Sequence, residues 1–118
     1  MDEHRSLSVT PDRYLTYRYA GASGDFNPIH LDDEFARSVG LPSRILHGLW
    51  TMSQVARAQT EAGGGPESLR SLEVQFRGVG LPEAEITVTS KAGEDGTITC
   101  NAEQNGKKII KAGKARLR

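Results

Sequence analysis

The chain has a single cysteine, Cys100, and seven aromatic residues (one Trp, three Tyr, three Phe) among 118. One cysteine cannot close an intrachain disulfide and cannot by itself hold a zinc ion, so neither device is available to stabilise the fold. No apolar run approaches the ~20 residues a helical membrane span needs, and the start, Met1-Asp2-Glu3-His4-Arg5, has no apolar stretch behind it as a signal peptide would. Charge of one sign is also missing: fifteen basic residues balance fifteen acidic ones, for a net charge of zero. That balance argues against coating nucleic acid or an anionic membrane, and it leaves self-association unopposed by long-range repulsion. The expectation is a reduced, cytoplasmic protein in which Cys100, set in an alternating stretch, is a small buried apolar residue.

What is present changes character near Gly63. Before it the pattern is helical and loop-like; after it, strand-like. Thr10-Pro11-Asp12 offers a helix start, with Thr10 as cap and a short helix ending by Gly21. Asp32 can cap a second short helix that Gly40 stops. A third, longer helix runs from the His47-Gly48 region to Ala62, with Leu49, Met52, Val55, Ala56 and Gln59 on one face, and Gly63-Gly64-Gly65-Pro66 ends it. Four alternating runs follow, around Leu72 to Phe76, Ile86 to Val88, Ile98 to Cys100 and Ile109 to Leu117. Glu94-Asp95-Gly96 and Asn105-Gly106 are hairpin signals between them. With a short strand near Ser6–Val9, the chain reads as one α+β domain over residues 1–118: an antiparallel sheet of about five strands whose apolar face is covered by the long helix. The Lys/Arg residues of the last run read as the solvated face of a strand.

Chemistry is concentrated in residues 19–30, YAGASGDFNPIH. Asp25 and His30 stand five apart in an irregular segment between two short helices, where a rigid scaffold can present side chains into a cleft. An aspartate and an imidazole facing one water form an acid–base pair. Taken only as these two residues, a turn aspartate and a partly buried structural histidine have the stronger claim. A metal cluster of His30, Asp32 and Asp33 is disfavoured, since adjacent carboxylates also start helices and no third ligand is suitably spaced. Ser23-Gly24-Asp25 lacks the strand–turn–helix setting of a nucleophile elbow, and Gly63-Gly64-Gly65 lacks the lysine of a phosphate loop. At the head of the long helix, the Gly48 N–H has no intrahelical acceptor and lies at the positive end of the dipole. It can serve as a donor to a substrate oxygen, or the glycine can simply allow close packing; both readings stand equal.

The motif of residues 19–30, followed by Gly40-Leu41-Pro42, His47-Gly48 and Phe76-Arg77, closely resembles the MaoC-like, or R-specific enoyl-CoA hydratase, family. The resemblance implies the hot-dog fold, a bent antiparallel sheet wrapped around a central helix. It implies that Asp25 and His30 activate water for addition to a trans-2-enoyl thioester carried on CoA or an acyl-carrier protein. Gly48 matches the backbone donor to the thioester carbonyl, and Asn27 the asparagine that braces the loop; Ser23, His47 and Ser53 are the further supporting or substrate-binding candidates. The product would be an (R)-3-hydroxyacyl thioester. The implied state is a homodimer, or a heterodimer with a related subunit, without cofactor or metal and without nucleic-acid or membrane partners. Alternatives are a subunit of a heteromeric dehydratase and a hot-dog acyl thioesterase. Departures from the family are a short first strand, an altered turn at Gly78–Glu83, and Ala56 where some members carry serine, with Thr51, Ser53 and Gln54 as polar neighbours. Arg44, Arg70 and Arg77 are candidates for the CoA phosphates.

Overall fold

The computed structural model describes residues 4–118, with side chains from residue 6 onward, so residues 1–3 lie outside the described part. Five strands, β1 (His4–Val9), β2 (Leu69–Phe76), β3 (Ile86–Ala92), β4 (Ile98–Gln104) and β5 (Lys107–Leu117), pair antiparallel in the order β1-β3-β4-β5-β2. The helices are α1 (Leu15–Ser23), α2 (Asp33–Ser38) and α3 (Gly48–Gly63), with a 3-10 turn at Pro28–His30. The α3 helix packs against all five strands. This is the expected helix wrapped by a sheet.

Alternation decides which strand face is inside. Ile86 and Val88 of β3, and Ile98, Cys100 and Ala102 of β4, point into the core with Val55 of α3. Each fully buried Val or Ile contributes about 1.5–3 kcal/mol. Cys100 is buried as expected, and burial pushes its thiol up to about 11. The β4–β5 turn is the Asn105-Gly106 hairpin, with φ of 53° and 76° at its two central residues, the left-handed pair a two-residue turn requires.

Three local expectations need correction. The first helix starts at Leu15, not at Pro11, and runs past Gly21 to Ser23. Asp12 accepts the Tyr14 N–H (2.8 Å) and pairs with Arg18, holding the chain in a turn before the helix, and Gly24 at φ 78° ends it. The buried face of α3 is Thr51, Gln54, Val55, Ala58 and Gln59, so of the face read from the sequence Val55 and Gln59 are buried, Met52 and Ala56 half-buried, and Leu49 is 66% exposed. The polar residues inside find partners for most of their groups, the buried Gln59 Oε1 excepted. Gln59 donates to the Ser90 hydroxyl (2.7 Å) and the Val55 carbonyl, and Gln54 accepts from Arg57. Alternation in β5 also breaks. Cys100 pairs with Gly113 but Ala102 with Ile110, so Lys111 and Ala112 bulge opposite Asn101, and Ile109 and Ile110 are both buried. Gly113 is required there, since a Cβ would lie 2.7 Å from the Cys100 sulfur and 2.6 Å from its carbonyl oxygen.

Residues between β1 and α3 form a cover pinned by Arg44. Its guanidinium pairs with Asp33 (3.0 Å), donates to Thr16 and to the Arg13 carbonyl, and sits 5.1 Å from the Tyr17 ring centre. Arg44 is therefore a structural brace rather than a free phosphate ligand. The Arg44 backbone N–H, chiefly, and its guanidinium hold the Asp33 carboxyl below the ordinary aspartate value of 3.8. A depressed folded value means the contribution is present above about pH 3.8 and is lost as pH falls through the lower folded value. Asp33→Asn is expected to lower the melting temperature at pH 7 and to reduce its fall between about pH 5 and pH 3. Parallel melting curves for the two proteins across that range would contradict it.

Candidate active site

From the last residue of α1 onward, every second residue to Asn27 carries a short polar side chain, and each one accepts from the backbone two residues on. Ser23 Oγ takes the Asp25 N–H, Asp25 Oδ1 the Asn27 N–H, and Asn27 Oδ1 the Ile29 N–H, all at 3.2 Å. These successive turns hold an irregular segment that offers no helix or sheet ladder of its own. Asn27 thus braces the loop, and Pro28 enters the 3-10 turn whose last residue is His30.

His30 is buried, and its Nδ1 lies 2.9 Å from the Ile45 carbonyl oxygen. A carbonyl only accepts, so in the neutral ring Nδ1 carries the hydrogen and Nε2 keeps its lone pair. That lone pair faces Asp25 Oδ2 across 3.7 Å, and the Asp25 side chain is 53% exposed at the mouth. Two acceptors separated by slightly more than a hydrogen bond are suited to share one water, each taking one of its hydrogens.

Two hollows meet here. An apolar one of about 150 Å³ runs inward from His30 past Ile45, Leu46, Thr51, Val79 and Ile110. An outer one of about 320 Å³ is lined by Tyr19, Ser23, Asp25, His47 and Leu49. Gly48 and Phe76 border both. A Cβ on Gly48 would meet the Phe76 ring at 3.2 Å, so this glycine admits a close neighbour, and it also stands where the helix start opens onto the cleft. Two larger hollows lie elsewhere, at about 480 and 520 Å³; of their arginines, Arg13 pairs with Glu83, Arg44 with Asp33 and Arg116 with Asp95, while Arg37 donates to the Pro42 carbonyl.

The sequence candidates sort unevenly. Asp25, His30, Gly48, Ser23, Asn27 and His47 come together. Ser53 does not: it is turned about 140° around α3 from Gly48 and hydrogen-bonds the Trp50 carbonyl of its own helix. Thr51, one turn in from Gly48, is buried and lines the inner hollow instead. Phe76 as a wall carries no signal beyond its place in the Phe76-Arg77 pair, and the Ile45 carbonyl, as the group that sets the His30 tautomer, none beyond an apolar residue. His47 stacks on His30 with ring centres 3.9 Å apart and planes 19° apart.

The expected lack of a third metal donor also needs correction. Asp25, His30 and His47 each bring one ligand atom within 4.8 Å of the others, while Asp32 caps α2 and Asp33 holds Arg44. Nearly parallel stacked rings direct their lone pairs side by side rather than toward one point, which suits a tetrahedral ion poorly.

A chain of this fold and site has relatives. It is 37% identical over 97 residues to the peroxisomal hydratase-dehydrogenase-epimerase of Saccharomyces cerevisiae, covering 82% of this chain and 10% of that protein. It is 34% identical over 85 residues to the enoyl-CoA hydratase ChsH3 of Mycobacterium tuberculosis, covering 70% of this chain and 29% of that one. This chain therefore spans less than a third of either protein's length. The crystal structure of a MaoC-like dehydratase from Phytophthora capsici superposes with a TM-score of 0.89 at 27% identity, over 97% of this chain and 40% of that one. The hot-dog arrangement is shared, and the MaoC-like domain family model matches residues 1–113, so this chain belongs to the MaoC-like domain family.

Proposed function

We propose that the chain adds water reversibly to trans-2-enoyl thioesters of CoA or an acyl-carrier protein, giving (R)-3-hydroxyacyl thioesters. The observation that carries this reading is the bare His30 Nε2 facing Asp25 Oδ2 at 3.7 Å, beside the head of α3. The thioester carbonyl accepts from the Gly48 N–H, with the acyl chain in the inner apolar hollow. Water held between Asp25 and His30 forms its C–O bond to the β-carbon as one O–H bond breaks and the proton passes to the pair. The π electrons move onto the carbonyl oxygen, where the amide and the helix dipole stabilise the developing charge. Collapse of that enolate takes a proton from the same pair onto the α-carbon, on the same face. The sum is one water added, with no electron transferred, so the reaction needs no redox cofactor.

The named activities of the yeast and mycobacterial relatives support the reaction class. Phe76 and Leu49, both exposed beside the cleft, suit a cover from a second copy, or from a related subunit in a heterodimer. Arg77, exposed and next to Phe76, is the candidate for a CoA phosphate, which would take its guanidinium from Gln75. The test is a hydration assay over trans-2-enoyl-CoA chain lengths, reading product configuration and free thiol together. An (R)-3-hydroxyacyl product with no thiol release is expected. Stoichiometric free CoA would make the protein a thioesterase and overturn the proposal.

A further inference from the structure

His47 joins every part of the site. Its Nε2 lies 3.0 Å from the backbone carbonyl oxygen of Asp25 and, because that oxygen only accepts, it donates. Its ring stacks on His30 at 3.9 Å and meets the Tyr19 ring at 4.8 Å and 52° on its way to α1. It is 3% exposed. As the residue before α3, its carbonyl oxygen accepts from Trp50 and Thr51, and its peptide bond carries the Gly48 N–H. One side chain thus fixes the Asp25 backbone and the His30 ring plane. The same residue's main chain aims the donor.

We propose that His47 is a positioning residue that sets Asp25, His30 and the Gly48 N–H relative to one another; the inference rests on the hydratase reading of the site. Its ring cannot rotate without breaking the bond to Asp25 or unstacking His30. With φ −66° and ψ 130° it holds an extended backbone that directs the next amide. No reacting atom needs to touch it. The reacting groups come from three separate elements, the loop after α1, the 3-10 turn and the head of α3, and His47 contacts all three.

Three variants separate its two contacts. His47→Ala loses both, His47→Gln keeps a terminal N–H donor without the ring, and His47→Phe keeps the ring without the donor. On crotonyl-CoA, His47→Ala is expected to lower kcat about 100-fold, the scale of a small misplacement of reacting groups, with KM within about threefold of wild type. The Gln and Phe variants should each recover about tenfold of the loss. Relaxation measurements on the His30 ring give a second readout independent of substrate: the Ile45 carbonyl keeps the Nδ1–H tautomer in every variant, while the ring is expected rigid in wild type and His47→Phe and mobile in His47→Ala, where its stacking partner is gone. A kcat for His47→Ala within twofold of wild type would overturn the inference, as would Gln and Phe variants no better than Ala. If wild type hydrates no enoyl thioester, the hydratase reading falls by itself. The relaxation data then decide His47, and a His30 ring as rigid in His47→Ala as in wild type overturns its role.

Discussion

Asp25→Asn is expected to lower crotonyl-CoA hydration about 10²–10⁴-fold, the range of a lost general acid–base group, while the protein melts as wild type does. The substitution keeps size and shape. The asparagine Oδ1 can still accept the Asn27 N–H, so the run of turns from Ser23 to Ile29 survives. What changes is the atom facing His30: an amide N–H donor replaces the Oδ2 acceptor at 3.7 Å. It then satisfies the Nε2 lone pair directly and displaces the water both groups would share. His30→Ala should cost activity on the same scale. It also leaves the Ile45 carbonyl unpaired and His47 unstacked, with a stability cost of about 1–3 kcal/mol for the buried acceptor. Because the two groups act on one water, the double variant should be little worse than either single one. Progress curves following loss of the conjugated enoyl absorbance measure all three. Asp25→Asn activity within threefold of wild type would remove Asp25 from the chemistry.

Much of this arrangement was legible from local pattern because local physics set it. Ile86 and Val88 alternate with threonines, and that alone turns one face of β3 inward. Asn105-Gly106 accepts the left-handed backbone of a hairpin turn, and the chain folds back there. The unreadable parts depend on neighbours distant in sequence. Periodicity puts Gln59 on the inner face but says nothing of the Ser90 it meets across the core, nor that Gln54 is buried while the more apolar Leu49 stands in solvent. The bulge at Ala112 arises from pairing on both sides of β5, with β2 and β4 at once. In the site, the spacing of Ser23, Asp25 and Asn27 announces a turn-rich loop. The tautomer of His30 is set by a carbonyl fifteen residues away. That contact turns a histidine in a motif into a base with a defined lone pair.

Gly48→Pro should then isolate the third element, the backbone donor. Position and backbone both favour proline: Gly48 is the first residue of α3, where the N–H has no intrahelical partner and proline is readily accepted. The residue before a proline must be extended, and His47, at φ −66° and ψ 130°, already is. The variant therefore deletes one hydrogen-bond donor with little cost to the helix. It also adds a Cβ, which would press on the Phe76 ring at 3.2 Å. Gly48→Ala carries the same Cβ and keeps the N–H, so it is the control. Gly48→Ala is expected to lose about tenfold or less, since Phe76 is half exposed and its ring can give way. Gly48→Pro should lose about 10²–10³-fold more in kcat, the effect of removing one donor to a developing oxyanion, with its melting temperature held or slightly raised. Equal kcat in the two variants would mean that the amide does not bear the transition-state charge. Gly48 would then be in the sequence only to let Phe76 pack against the helix.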